Sequence, residues 1–133
     1  MSFEILPEGS ESHRRTARGF AGSVVGRTLE MLPIPILESI LTRITCRFPW
    51  ASEDEVSVWR AQVARASRRA AGHGCLQRSL GVWFLGAIRR RRVRVIAGFD
   101  TAPFVAHAWV SLGSGAVLEP EGIESFNVAL VAG

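Results

Sequence analysis

The chain has 133 residues, of which 47% are apolar, and a net charge of +4, a composition that suits one globular domain with a buried core. All 16 basic residues are arginine, which excludes Schiff-base chemistry on lysine and a P-loop lysine. No apolar run reaches the length of a membrane-spanning helix and no signal-peptide pattern is visible, so we expect a cytoplasmic protein without a membrane span.

The first part of the chain lacks the periodicity of a helix or a strand. Residues 1–22 mix Glu, Ser, Gly and Arg, which is typical of a disordered tail. We therefore expect a single domain over 23–133, with a helical part over 23–50 and a core over 51–133.

The segment from about residue 24 to 48 has apolar residues at three- and four-residue spacing. Pro33 and Pro35 must interrupt any helix there, so the sequence predicts two short helices rather than one. The recurring apolar positions are Val25, Leu29, Leu32, Ile36, Ile40 and Ile44.

A further helix is predicted from Ser52. The Ser52 hydroxyl is a capping group and Glu55 stands at the third helical position, which together fit a capping box. One stripe of this helix is apolar, and Gly72 and Gly74 are expected to end it. The stripe comprises Val56, Trp59, Val63, Ala66 and Ala70.

The last predicted helix runs from Cys75 to the arginines at 89–92, where cations suit the negative end of the helix dipole. After it the sequence changes to short β-type runs separated by turn residues. Helices followed by strands predict an α+β fold, with a helical layer packed on a small antiparallel sheet. The expected strands are Val93–Phe99, Val105–Leu112, Ala116–Glu119 and Phe126–Val131.

Cys75 is the candidate nucleophile. It follows Gly72 and Gly74 at the start of a helix, where backbone N–H groups and the helix dipole favour the thiolate. The alternative is that Cys75 is a small buried hydrophobic residue, which is the role we assign to Cys46 within its apolar helix.

A nucleophilic thiol needs a base, and the chain offers three histidines. His13 lies in the expected tail and His73 lies in a glycine turn. His107 lies on a predicted strand, where its side chain shares a face with Val105 and Trp109. His107 is the preferred base, although a histidine on a strand can equally be a partly buried residue without chemistry.

The base needs an orienting group in turn, normally a carboxylate. Glu119 ends a short strand that a glycine turn would pair with the His107 strand, so it is the natural candidate. Asp100 looks like a turn residue and stays open as the alternative. Glu121 and Glu124 fall in an expected loop.

Other uses of these residues are less well supported. A zinc site would need paired Cys-x-x-Cys or His-x-x-x-His spacing, which is absent, so we expect no metal. The ligands of such a zinc site would be Cys46, His73, Cys75 and His107. The arginine clusters have no nucleic-acid-binding motif or aromatic platform beside them, so we expect no nucleic acid. They do leave open a non-enzymatic function, a basic adaptor that binds an acidic partner.

Two segments, Cys75–Leu80 and Pro103–Val110, together resemble a known family, the transglutaminase-like cysteine peptidases of lasso-peptide biosynthesis. These peptidases are the active-site half of the split leader-peptide protease. The resemblance extends to Val95–Phe99, to the arginine-rich helix end and to an acid beyond the second segment, and it covers roughly residues 50–125. That acid is commonly aspartate in the family and is Glu119 here.

The resemblance implies a papain-like or transglutaminase-like core and a triad of Cys75, His107 and Glu119 that needs no cofactor. It implies a cysteine protease that removes the leader from a ribosomally made lasso precursor peptide. The implied partners are the precursor leader, a small leader-recognition protein and a downstream ATP-dependent lasso cyclase. The same triad could instead serve acyl transfer or deamidation at glutamine, as in the wider superfamily.

Overall fold

The computed structural model describes residues 17–67, 74–101, 104–113 and 127–133. Within these ranges the helices come first and the strands follow, which confirms the predicted α+β fold. The helices are α1 (Ala17–Leu29), α2 (Ile34–Thr45), α3 (Glu53–Ala66) and α4 (Cys75–Ile88). The strands are β1 (Arg94–Thr101), β2 (Phe104–Ser111) and β3 (Asn127–Ala132).

Helix α1 begins inside the range that the sequence assigned to a tail. It starts at Ala17, so the helical part of the chain begins before residue 23. Its buried face consists of small residues, and such a face produces no periodic signal in an apolar pattern. These residues are Gly19, Gly22, Ser23 and Gly26. Residues 1–16 lie outside the described ranges, so the tail stays a prediction there.

The small face of α1 allows a close approach to α4. A Cβ atom on Gly26 would collide with the carbonyl oxygen of Gln77, and one on Gly81 would lie 2.7 Å from the carbonyl oxygen of Gly22. The Gln77 Nε2 atom donates a hydrogen bond to the Ser23 carbonyl oxygen at 2.9 Å. These contacts fix the first two turns of α4, where Cys75 lies.

Helix α2 turns a different face to the core than the apolar pattern suggested. The break at Pro33 is as predicted, and Leu37, Leu41 and Thr45 are buried. The isoleucines of the recurring pattern are exposed by 48%, 37% and 50%, at Ile36, Ile40 and Ile44.

Two hydrogen bonds to β3 explain this rotation of α2. The Glu38 carboxylate accepts from the Val131 backbone N–H at 3.0 Å, and the Thr42 hydroxyl accepts from the Gly133 N–H at 3.2 Å. The two polar groups thus accept from backbone donors of β3 and of Gly133, the residue that follows it. The strand therefore selects the face that carries Leu41 for the core.

Helix α3 begins at the predicted capping box. The Ser52 hydroxyl accepts from the Glu55 N–H at 3.2 Å, and Glu55 Oε1 accepts from the Ser52 N–H at 3.0 Å. The helix ends at Ala66, before the glycines that were expected to stop it. The apolar stripe is buried as predicted at Val56, Trp59, Val63 and Ala66, whereas Ala70 and Gly72 lie outside the described residues.

The three described strands form one antiparallel sheet in the order β2-β1-β3. One face packs under the helices and contributes buried residues to the core, among them Val95, Val110 and Leu130. The other face carries His107 and Trp109, because side chains alternate along a strand. No helix within the described ranges has both the length and the hydrophobicity needed to cross a bilayer.

Candidate active site

Cys75 is the first residue of α4. Gly74 is the N-cap and supplies no side-chain capping bond, and the Arg78 N–H donates to the Gly74 carbonyl oxygen at 2.8 Å. The first N–H groups of a helix have no carbonyl partner within the helix, and the dipole places partial positive charge there. The position predicted from the two glycines therefore stabilises negative charge on the Cys75 sulfur.

His107 reaches the same sulfur from β2. The His107 side chain and the backbone N–H of Ala108 both form hydrogen bonds with the Cys75 sulfur. The His107 ring stacks on Trp109, with ring centroids 6.1 Å apart and an interplanar angle of 24°. The structure thus brings together Cys75 and the histidine that the sequence indicated as its base.

The pKa of the Cys75 thiol is lowered from its ordinary value. Burial raises this pKa, but the hydrogen bonds from His107 and Ala108 and the positive charges of His107 and Arg78 outweigh burial. A lower pKa increases the fraction of thiolate, which is the nucleophilic form.

The third member of the expected triad, Glu119, lies outside the described residues. Asp100, the alternative, lies on β1 rather than in a turn, and its Oδ1 atom accepts from the Thr101 N–H at 2.8 Å. Asp100 pairs with Val105, two residues from His107 on β2, so the two side chains project from the same face of the sheet. Within the described ranges, β2 has β1 on one side and no strand on the other.

The remaining candidates are not part of this site as the described residues form it. His13 and His73 are outside the described residues. Cys46 is exposed at the end of α2, so its assignment to the core was wrong, and its carbonyl oxygen accepts from Arg92 at 3.4 Å. The part of the chain that the structure describes contains no group of histidines, cysteines and acids suited to a metal.

Sequence reasoning missed Arg78 as a residue of the site. Its side chain is 5% exposed, and its charge is one of the two that act on Cys75 among the described residues. The signal was available, because Arg78 follows Cys75 by three positions on a predicted helix, and residues so spaced are neighbours. Gln77, which the sequence left without a role, links α4 to α1.

Comparison with known proteins identifies the family of the chain. The family model described as the Transglutaminase-like superfamily matches residues 25–131. No curated protein and no solved structure matches the chain. Since this match spans well over half of the sequence, the chain belongs to the transglutaminase-like superfamily. This superfamily includes cysteine proteases.

Proposed function

We propose that the protein is a cytoplasmic cysteine peptidase that removes the leader from a lasso precursor peptide, acting with a separate leader-recognition protein. The observation that carries this proposal is the hydrogen bond between Cys75, at the start of α4, and His107 on β2. A thiol, an imidazole and a helix start in contact are the parts that acyl transfer through a cysteine requires.

In the first half of the reaction, His107 takes the Cys75 proton and the thiolate attacks the carbonyl carbon of the amide between leader and core. The backbone N–H of Cys75, at the helix start, is our candidate donor to the oxyanion that forms. His107 then gives its proton to the leaving amine of the core peptide, and the leader stays attached to Cys75 as a thioester.

In the second half, neutral His107 takes a proton from water, and the resulting hydroxide attacks the thioester carbonyl. The bond to sulfur breaks, the leader leaves with a free carboxylate, and the proton returns to the Cys75–His107 pair. No step of the proposed reaction uses a cofactor, and its proton transfers run between Cys75, His107, water and the substrate.

We assign the orientation of His107 to Glu119, on the strength of the family resemblance and of the strand pairing predicted for Ala116–Glu119. Among the described strands, β2 is at the edge of the sheet, so its side away from β1 is compatible with this pairing. Asp100 is the competing residue, since it shares a sheet face with His107.

The proposed partners follow from the same resemblance. A small recognition protein presents the precursor leader to the peptidase, and an ATP-dependent cyclase downstream closes the ring on the released core.

The test is cleavage of the precursor by the purified protein in the presence of the recognition protein, followed by mass spectrometry of the products. Wild type should give leader and core fragments, and Cys75→Ala should give neither. Cys46→Ala is the matched control, because Cys46 is exposed and remote in sequence from the site, and it should cleave like wild type. Cleavage by Cys75→Ala would overturn the mechanism.

The superfamily match also favours a second function, acyl transfer or deamidation at a glutamine side chain by the same Cys75–His107 pair. The thiolate would then attack the side-chain carboxamide, ammonia would leave with a proton from His107, and the thioester would pass its acyl group to an amine or to water instead of releasing a peptide. Incorporation of a labelled primary amine into the precursor, without a new peptide terminus, would support this function over proteolysis.

A further inference from the structure

The second turn of α4 contains a buried charge that the proposed reaction does not use. Gln77, Arg78 and Ser79 are all buried, with Arg78 only 5% exposed. The Gln77 amide binds the Ser23 carbonyl oxygen of α1, which explains its burial. A guanidinium keeps its charge at any working pH, and burying that charge is costly unless negative charge or acceptors compensate it.

The helix geometry places this charge beside the nucleophile. Arg78 follows Cys75 by three residues, and side chains at this spacing are neighbours on one side of a helix. The Arg78 N–H bond to the Gly74 carbonyl oxygen shows that the helical turn is already formed at Cys75, so this offset is fixed. The charge of Arg78 therefore acts on the sulfur of Cys75 from the same side of the helix.

Two cationic side chains act on Cys75 from different elements. Among the described residues, these charges are His107 on β2 and Arg78 on α4 itself, while α1 turns glycines and Ser23 towards α4. The two differ in one respect, because an imidazole gains and loses its proton near neutral pH whereas a guanidinium does not. During the proposed reaction His107 must be neutral in order to act as a base, and at that stage Arg78 still carries its charge.

We propose that Arg78 is a positioning residue for the Cys75–His107 pair, whose buried guanidinium stabilises the Cys75 thiolate in both charge states of the imidazole. This inference rests on the proposed role of Cys75 as the nucleophile. Helix α4 then stabilises the Cys75 thiolate in two ways, through its N-terminal N–H groups and through the permanent charge of Arg78 one turn further along.

The test is the pH dependence of Cys75 alkylation by iodoacetamide, followed by mass spectrometry. A Cys46→Ser background leaves Cys75 as the single thiol, since the chain has 2 cysteines. Arg78→Met should move the alkylation profile to higher pH and slow alkylation near pH 6 by about three- to tenfold, as expected for the loss of one neighbouring charge. Arg78→Lys retains the charge and should restore most of the rate.

Gln77→Met is the matched control for a merely structural effect. It removes the bond to Ser23 in the same buried turn without removing a charge, so its alkylation profile should stay like that of wild type. A folded Arg78→Met protein with the wild-type profile would overturn the proposal, as would an equal displacement in Gln77→Met.

A second neutral variant keeps the test decisive if Arg78→Met does not fold. Arg78→Gln retains hydrogen-bond donors in the same pocket, and circular dichroism would establish that it is folded. It should shift the profile in the same direction, and no shift would refute the role of the charge. Alkylation requires no peptide, so this result is independent of precursor cleavage, whose own decisive variant is Cys75→Ala.

Discussion

Asp100 and His107 project from the same face of the sheet, two positions apart along the β1–β2 ladder, with the Phe99–Ala106 pair between them. Diagonal neighbours of this kind are about 7–8 Å apart at their Cα atoms, within reach of long side chains but beyond a direct bond for most short ones. Asp100 is therefore an alternative to Glu119 as the carboxylate that orients His107, and mutagenesis can distinguish the two.

Replacing the two acids in parallel should separate them. We expect Glu119→Ala to lower kcat/KM for precursor cleavage by about 10²- to 10⁴-fold, because loss of the orienting carboxylate leaves the imidazole in the wrong tautomer or position. Asp100→Ala should retain activity close to wild type. Steady-state kinetics on both variants, each checked for folding by its thermal melt, provides the measurement. If Asp100→Ala shows the large loss and Glu119→Ala does not, the role belongs to Asp100.

The stability of the protein should depend on the ionisation of Cys75. Burial raises the pKa of this thiol, but the bonds from His107 and Ala108 and the charges of His107 and Arg78 lower it below its ordinary value. The unfolded chain then holds the thiol proton up to a higher pH, so ionisation stabilises the folded state above the ordinary thiol pKa. This contribution is lost as the pH falls through the lowered folded pKa.

Urea denaturation of wild type and Cys75→Ser across a pH series, under reducing conditions, measures that contribution. The free energy of unfolding of wild type should increase relative to that of Cys75→Ser as the pH rises from the folded to the ordinary thiol pKa. A difference that instead moves towards Cys75→Ser over this interval would contradict the lowered pKa.

The contact between α1 and α4 should not tolerate a methyl group at Gly26. Alanine is the better helix former by about 1 kcal/mol, so helix propensity alone predicts that Gly26→Ala is stabilising. Because the new Cβ would collide with the Gln77 carbonyl oxygen, we expect a net destabilisation of about 1–3 kcal/mol. Thermal or chemical denaturation measures this loss of stability. The control is Val24→Ala, because Val24 lies on the exposed side of the same helix.

Adjacent residues of α2 should differ in how much stability their truncation costs. Leu41 is fully buried, so Leu41→Ala should cost about 2–5 kcal/mol of unfolding free energy. Ile40 is 37% exposed, so Ile40→Ala should cost less, about 1 kcal/mol. Chemical denaturation of the pair tests the observed rotation of the helix, and equal losses would count against it.

Local sequence signals predicted the parts of this fold that are determined locally. The capping box of Ser52 and Glu55 depends on residues three positions apart, and it is present as expected. The alternation that places His107 and Trp109 on one face depends only on the strand itself, and the ring stacking agrees with it.

The parts that sequence reasoning missed depend on distant partners. The rotation of α2 follows from bonds between Glu38 and β3, 93 positions away, which no pattern within α2 contains. The start of helix α1 at Ala17 was missed because glycines, which are poor helix formers, make its contact with α4. The burial of Arg78 likewise becomes visible only once α4 is packed in the fold.

Both hydrogen bonds to Cys75 come from consecutive residues of β2, so both depend on the register of this one strand. One contact comes from the His107 side chain and the other from the Ala108 backbone. A slip by one residue would send the imidazole to the opposite face of the sheet, since side chains alternate, and would shift the backbone donor at the same time. A one-residue insertion in β2 before His107 would thus disconnect the nucleophile from both partners at once, even in a chain that still folds.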